Sequence, residues 1–204
     1  MARKPFGQLK RFVYEGSSAK PRLLICAPMS GHFATLLRGT VERMIPTHDV
    51  YITDWKDARD VPLTGGGFDL ETYIDYLIEW LEFIGPDAGG RGAHMLAVCQ
   101  PSVPAYAAAA VMSAKDHPLR PRTLTMMGGP IDTREAPTAV NNHATQRPHD
   151  WFVQNVVVKI LMCQGLAHKI ETDAGIKLLK KFKMWQFYLK YMQSIHRLLC
   201  TDLH

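Results

Sequence analysis

The chain has 204 residues, 47% hydrophobic and 21% charged, which fits one folded domain with its own core and excludes a disordered or fibrous chain. The formal charge of +5 is uneven: residues 161–204 carry seven Lys/Arg and three Asp/Glu, so the basic character belongs to that tail, and no nucleic-acid partner is expected. Cys26, Cys99, Cys163 and Cys200 show no C-x-x-C spacing, and no apolar run approaches the roughly 20 residues that span a bilayer. No metal, cofactor or transmembrane segment is therefore expected. Residues 1–10 are basic without the apolar stretch of a secretory signal, and a reducing, cytoplasmic setting is the expectation for free thiols.

In chain order, residues 23–27 (LLICA) form a short apolar run between Pro21 and Pro28 and read as a buried strand. A Gly-containing loop over 29–32 leads to a helix over 33–44, and residues 49–54 (DVYITD) read as a second strand closed by Trp55. After a loop broken by Gly65, Gly66 and Gly67, apolar residues at Leu70, Tyr73, Ile74, Leu77, Ile78, Leu81 and Ile84 keep helical spacing until Gly85-Pro86 stops it. Residues 94–98 (HMLAV) read as a third strand, running through Cys99-Gln100-Pro101 into an alanine-rich helix over 103–114. A fourth strand over 123–127 ends at Gly128-Gly129-Pro130. Apolar strands alternating with helices predict an α/β protein with a doubly wound, mainly parallel sheet.

The junction at Cys99 is where chemistry is expected. In an α/β-hydrolase the nucleophile stands on a sharp strand-to-helix turn flanked by small residues. Ala97-Val98-Cys99-Gln100-Pro101 has that form, with Pro101 suited to the first turn of a helix, where its missing N–H is no loss. The positive end of that helix is a favourable place for a thiolate. The backbone N–H of Gln100 is the first expected oxyanion donor. The second is expected from the loop after the first strand, at Met29 or Ser30, with Gly31 allowing close approach and His32 in reach. Cys26, in mid-strand, reads as a core residue.

Several strings resemble one family. LICAPMSGHFATLLR at 24–38, VYITDWKDAR at 50–59, VCQP at 98–101, TMMGGPID at 125–132 and PTAVN at 137–141 are similar to intracellular poly(3-hydroxybutyrate) depolymerases, over about residues 7–159. The resemblance implies an α/β-hydrolase-type fold, and Cys99 as the nucleophile of an ester hydrolase that forms an acyl-enzyme. It also implies a polyhydroxyalkanoate polymer or oligomer as substrate, on the surface of cytoplasmic storage granules. The Gln-Pro after Cys99 fits the depolymerases better than the related synthases, which keep a Gly there.

From Leu161 the resemblance is no longer legible, and no Asp or His matches the family's triad acid and base. His168, His196, His204, Asp173 and Asp202 follow Cys99 without a motif, so acid and base stay unassigned and an inactive chain is one expectation. Leu178, Phe182, Trp185, Leu189, Met192, Ile195 and Leu199 predict a basic amphipathic helix over about 174–199. The expected organisation is an N-terminal extension over 1–20, an incomplete α/β-hydrolase-like half-domain over 21–160 and a divergent helical tail over 161–204. The sharp change near 160 is what a truncated or frameshifted gene would produce. The alternative to an ester hydrolase is a non-catalytic granule-associated or interaction protein anchored by the tail.

Overall fold

The computed structural model describes residues 2–29, 33–56, 60–132, 134, 135, 137, 139, 142, 145–152 and 155. The amphipathic helix expected over 174–199 and the candidate acids and bases of residues 161–204 lie outside them. Met1–Lys56 with Leu63–Pro130 form one compact unit, and Asp57–Pro62 with Ile131–His204 a second. The division thus falls after Pro130, whereas the sequence reading put it near 160.

In the first unit six strands form one sheet: β1 (Arg3–Lys4), β2 (Gly7–Arg11), β3 (Arg22–Cys26), β4 (Asp49–Trp55), β5 (His94–Val98) and β6 (Leu124–Met127), in the spatial order β1-β2-β4-β3-β5-β6. β3, β4, β5 and β6 run parallel, while β1 and β2 pair antiparallel at one edge. The helices between them are α1 (Arg38–Met44), α2 (Leu70–Ile84) and α3 (Ser102–Ala114). Handedness decides their faces. The step from β3 to β4 moves one way along the sheet, and the steps from β4 to β5 and from β5 to β6 move the other way. Right-handed crossovers therefore put α1 on one face and α2 and α3 together on the other. Helices on both faces leave strands no solvent side, which is why LLIC in β3 is buried throughout rather than alternating. This is a doubly wound, mainly parallel α/β-hydrolase-type sheet whose fifth strand leads through a tight turn into a helix.

Two expectations are corrected. Residues 1–20 are not an extension beside the sheet: β2 is an integral strand, with Gly7 opposite Trp55 and Arg11 opposite Tyr51. Its sequence, GQLKR, is polar because only one face of this near-edge strand is covered, by Leu9. Polar anchors hold it, with Gln8 Nε2 donating to Asp54 at 2.8 Å and Lys10 Nζ 2.7 Å from the same carboxylate. The helix expected over 33–44 is a 3₁₀ turn at Phe33–Leu37 followed by α1, and Leu37 brings no side-chain cap to the start of α1.

The core on the α1 face gathers Leu23, Ile25, Ala27, Val50, Ile52 and Leu96 against Leu37 and Val41. On α2, Asp69 caps the N-terminus by accepting from the Thr72 hydroxyl at 2.6 Å and the Thr72 N–H at 2.8 Å, and these hydrogen bonds hold its carboxyl below the usual range. Gly85, at φ 69°, ends the helix. Tyr73, Tyr76 and Trp80 of α2 ring Trp55 at centroid distances of 4.6, 6.4 and 5.3 Å. In the second unit a short helix, α4, spans His149–Phe152, and the Arg147 guanidinium lies 3.9 Å from the Trp151 ring centroid.

His48 and His94 meet edge to face at 6.0 Å, beside the starts of β4 and β5. Burial lowers both from the ordinary imidazole value of 6.5, helped by each other's charge at His48 and by Arg122 at His94. The folded state thus resists protons that the unfolded chain accepts. Stability is expected to be level above pH 6.5 and to fall as the pH drops below it, since protonation then favours the unfolded chain. Urea unfolding at pH 7.5 and 5.5 checks this. A slope that H48Q and H94Q leave unchanged would rule these two histidines out.

Candidate functional site

A parallel sheet binds ligands at the carboxyl ends of its strands, where the strand order reverses. Here the reversal lies between β3, which feeds β4 on one side, and β5, which feeds β6 on the other. Cys26 and Ala97 pair across these two strands. Three residues beyond each stand Met29 and Gln100, so two of the expected oxyanion positions leave the same edge of adjacent strands. Both are buried, at 7% and 5% exposure. Ser30, Gly31 and His32 lie outside the described residues.

Cys99 follows β5 at this edge, exposed and with φ 65°, one of two non-glycine residues with positive φ among the described residues. A side chain in the left-handed region costs about 1–2 kcal/mol, so the turn persists only because its surroundings over-determine it. The Cys99 N–H donates to the Met127 carbonyl at 2.7 Å, and the Cys99 carbonyl accepts from the Ser102 N–H at 3.0 Å. Strand, strained residue and helix thus follow within four positions. The loop across from it is anchored as well: the Ala27 N–H donates to Thr53 Oγ1 at 2.9 Å, and Trp55 Nε1 donates to the Ala27 carbonyl at 2.8 Å. These two bonds fix where Pro28 and Met29 leave β3.

The sequence reading did not single out Thr53, Ser102, Met127 or Gly129 at this site. Their only signal was a polar Thr inside an apolar strand and a Gly pair after β6. The candidate acids and bases His168, His196, His204, Asp173 and Asp202 lie outside the described residues. A cavity of about 350 Å³, lined by Leu9, Arg11, Arg22, Tyr51, Phe83 and Ile84, opens beside the strand starts, at the opposite edge of the sheet from Cys99.

Cys26 contrasts with Cys99. It is fully buried in β3, and burial pushes its thiol up to about 12. At pH 8 only about one molecule in 10⁴ carries its thiolate, the reactive form. In a Cys163→Ser, Cys200→Ser background, iodoacetamide is expected to modify Cys99 in the native protein and Cys26 only after unfolding. Peptide mapping of timed samples reads both, and comparable native rates would contradict this assignment.

Residues 128–173 match the PHB de-polymerase C-terminus family. The match begins at the Gly pair that closes β6 and runs past the point near 160 where the resemblance was expected to end. No curated protein matches the chain. Among solved structures, an epoxide hydrolase of Bacillus megaterium in complex with an inhibitor is similar at 14% identity and a TM-score of 0.46, over 92% of this chain and 70% of that one. The family match relates residues 128–173 to the PHB depolymerases.

Proposed function

We propose that the chain hydrolyses short-chain polyhydroxyalkanoate esters through a cysteine nucleophile, Cys99. The observation that carries this reading is an exposed thiol held in a left-handed turn at the switch point of the sheet. In the proposed reaction the Cys99 sulfur attacks the ester carbonyl carbon, and the oxyanion forms facing the backbone N–H of Gln100 and that of Met29 or Ser30. Collapse breaks the ester C–O bond, and the proton given up by the thiol goes to the departing alcohol. Water then cleaves the thioester, its hydroxyl completing the acid and its hydrogen returning to sulfur. The family match over 128–173 supports a polyhydroxyalkanoate as the ester; work at a cytoplasmic granule surface is part of the proposal. Among the described residues no helix is long and apolar enough to cross a membrane.

The test is release of hydroxy acid from amorphous poly(3-hydroxybutyrate) particles by the full chain and by Cys99→Ala. Hydrolysis by the parent and a loss on the order of 10⁴-fold in the variant are expected. A parent without activity, or a variant that keeps it, overturns the reading.

A further inference from the structure

The left-handed turn at Cys99 needs something to hold it, and the segment after β6 is placed to do so. Met127 closes β6 opposite Val98 and takes the Cys99 N–H on its carbonyl. Two residues on, Gly129 lies so close to the first turn of α3 that a Cβ there would stand 2.1 Å from Ser102 Cβ, 2.2 Å from its Oγ and 3.1 Å from the Cys99 carbonyl oxygen. Ser102 cannot yield outward: it is fully buried, its N–H bonds the Cys99 carbonyl and its hydroxyl reaches the Ala97 carbonyl at 3.4 Å. The elbow is thus gripped from two sides, by α3 through Ser102 and by the β6 exit through Met127 and Gly129.

We propose that Gly129 is a positioning residue whose backbone-close approach to the first turn of α3 holds Cys99 in its strained, outward-facing conformation. The inference rests on Cys99 being the working thiol. A side chain at 129 has no room without displacing α3 or the Cys99 carbonyl. Either shift lets the turn relax toward ordinary backbone angles and withdraws the sulfur from its exposed perch. The strings VCQP and MMGGP are far apart in sequence, and this contact makes them one device.

A control separates positioning from mere loss of packing. Gly92 is also closely enclosed, since a Cβ there would meet the Arg120 carbonyl oxygen at 2.5 Å, but it precedes β5 at the far end from Cys99. The experiment measures iodoacetamide modification of Cys99 in full-length protein with Cys163 and Cys200 changed to Ser, below each variant's unfolding temperature. Gly129→Ala is expected to slow the reaction about fivefold or more or to prevent folding, and Gly92→Ala to leave it within about twofold of the parent in native molecules. Adding Ser102→Gly to Gly129→Ala removes the two nearest atoms the new methyl meets while keeping the backbone N–H at 102, and is expected to restore folding and reactivity to within about threefold. A folded Gly129→Ala with parental reactivity, a Gly92→Ala that slows Cys99 equally, or a double variant no better than Gly129→Ala would each overturn the proposal. The readout is alkylation, so it stands whether or not polymer hydrolysis is found.

Discussion

Replacing Cys99 by glycine is expected to make the protein more stable while removing its chemistry. The residue sits at φ 65°, where a Cβ costs about 1–2 kcal/mol and glycine pays no such penalty. Glycine also loses more chain entropy on folding, about 0.5–1 kcal/mol, which takes back part of the gain. The side chain is exposed, so little buried apolar contact is lost with it. Cys99→Ala keeps the Cβ and the strain, and is the proper reference. Cys99→Gly should exceed it by about 0.5–1 kcal/mol in urea unfolding, while both lose hydrolysis on the order of 10⁴-fold. A glycine variant no more stable than the alanine variant would mean that the turn carries no strain. Opposed effects on stability and activity are what a strained functional residue produces, whereas a packing cysteine would lose stability with either change.

Arg11→Met is expected to cost about 3–5 kcal/mol, the largest stability loss proposed for this chain. Asp49 is fully buried at the start of β4 and is held bidentately, by Arg11 Nε at 2.9 Å and Nη2 at 3.0 Å. Tyr51 adds a longer hydroxyl contact to the same carboxylate at 3.4 Å, and its ring lies 5.5 Å from the Arg11 guanidinium. The two partners are unequal. Asp49 has no access to water, while the Arg11 side chain is 33% exposed. Removing the arginine strands a buried carboxylate, whereas Asp49→Asn leaves a cation that water can reach, so the second loss should be clearly smaller. Replacing both by apolar residues, Arg11→Met with Asp49→Leu, should recover most of the loss, because the pair's desolvation penalty disappears with it. Urea unfolding of the three variants checks the order. Equal losses for the two single variants would show that Asp49 reaches water or another partner.

That ion pair also shows where reading by sequence stops. Residues 70–84 and 94–98 were legible to the residue, because helical spacing ends at Gly85-Pro86 and HMLAV is apolar after its first residue. GQLKR carries no such pattern. It becomes a strand because β4 offers it hydrogen bonds and because Asp49 offers Arg11, and Asp54 offers Gln8, a side-chain partner, contacts 38 and 46 residues away. Propensity alone cannot express a preference of that kind.

The site divides the same way. A cysteine between an apolar strand and an alanine-rich helix, with a Gly-containing loop after an earlier strand, was enough to place Cys99, Gln100 and Met29 at one end of a parallel sheet. Periodicity and chain order determine which ends of parallel strands meet. Sequence could not reveal that Cys99 adopts a left-handed backbone, since a cysteine there is intrinsically disfavoured and only surrounding contacts impose it. Those contacts come from Met127, Gly129 and Ser102, while Thr53 and Trp55 of β4 anchor the loop across from it at Ala27. Each depends on strand register and on angstrom-scale approach, which pairwise packing decides and local residue preference does not. The sequence by itself thus determined the strand-and-helix alternation and the position of Cys99 at the junction of β5 and α3. The tertiary structure alone decided how that thiol is held, because holding it takes atoms that meet only once the sheet has formed.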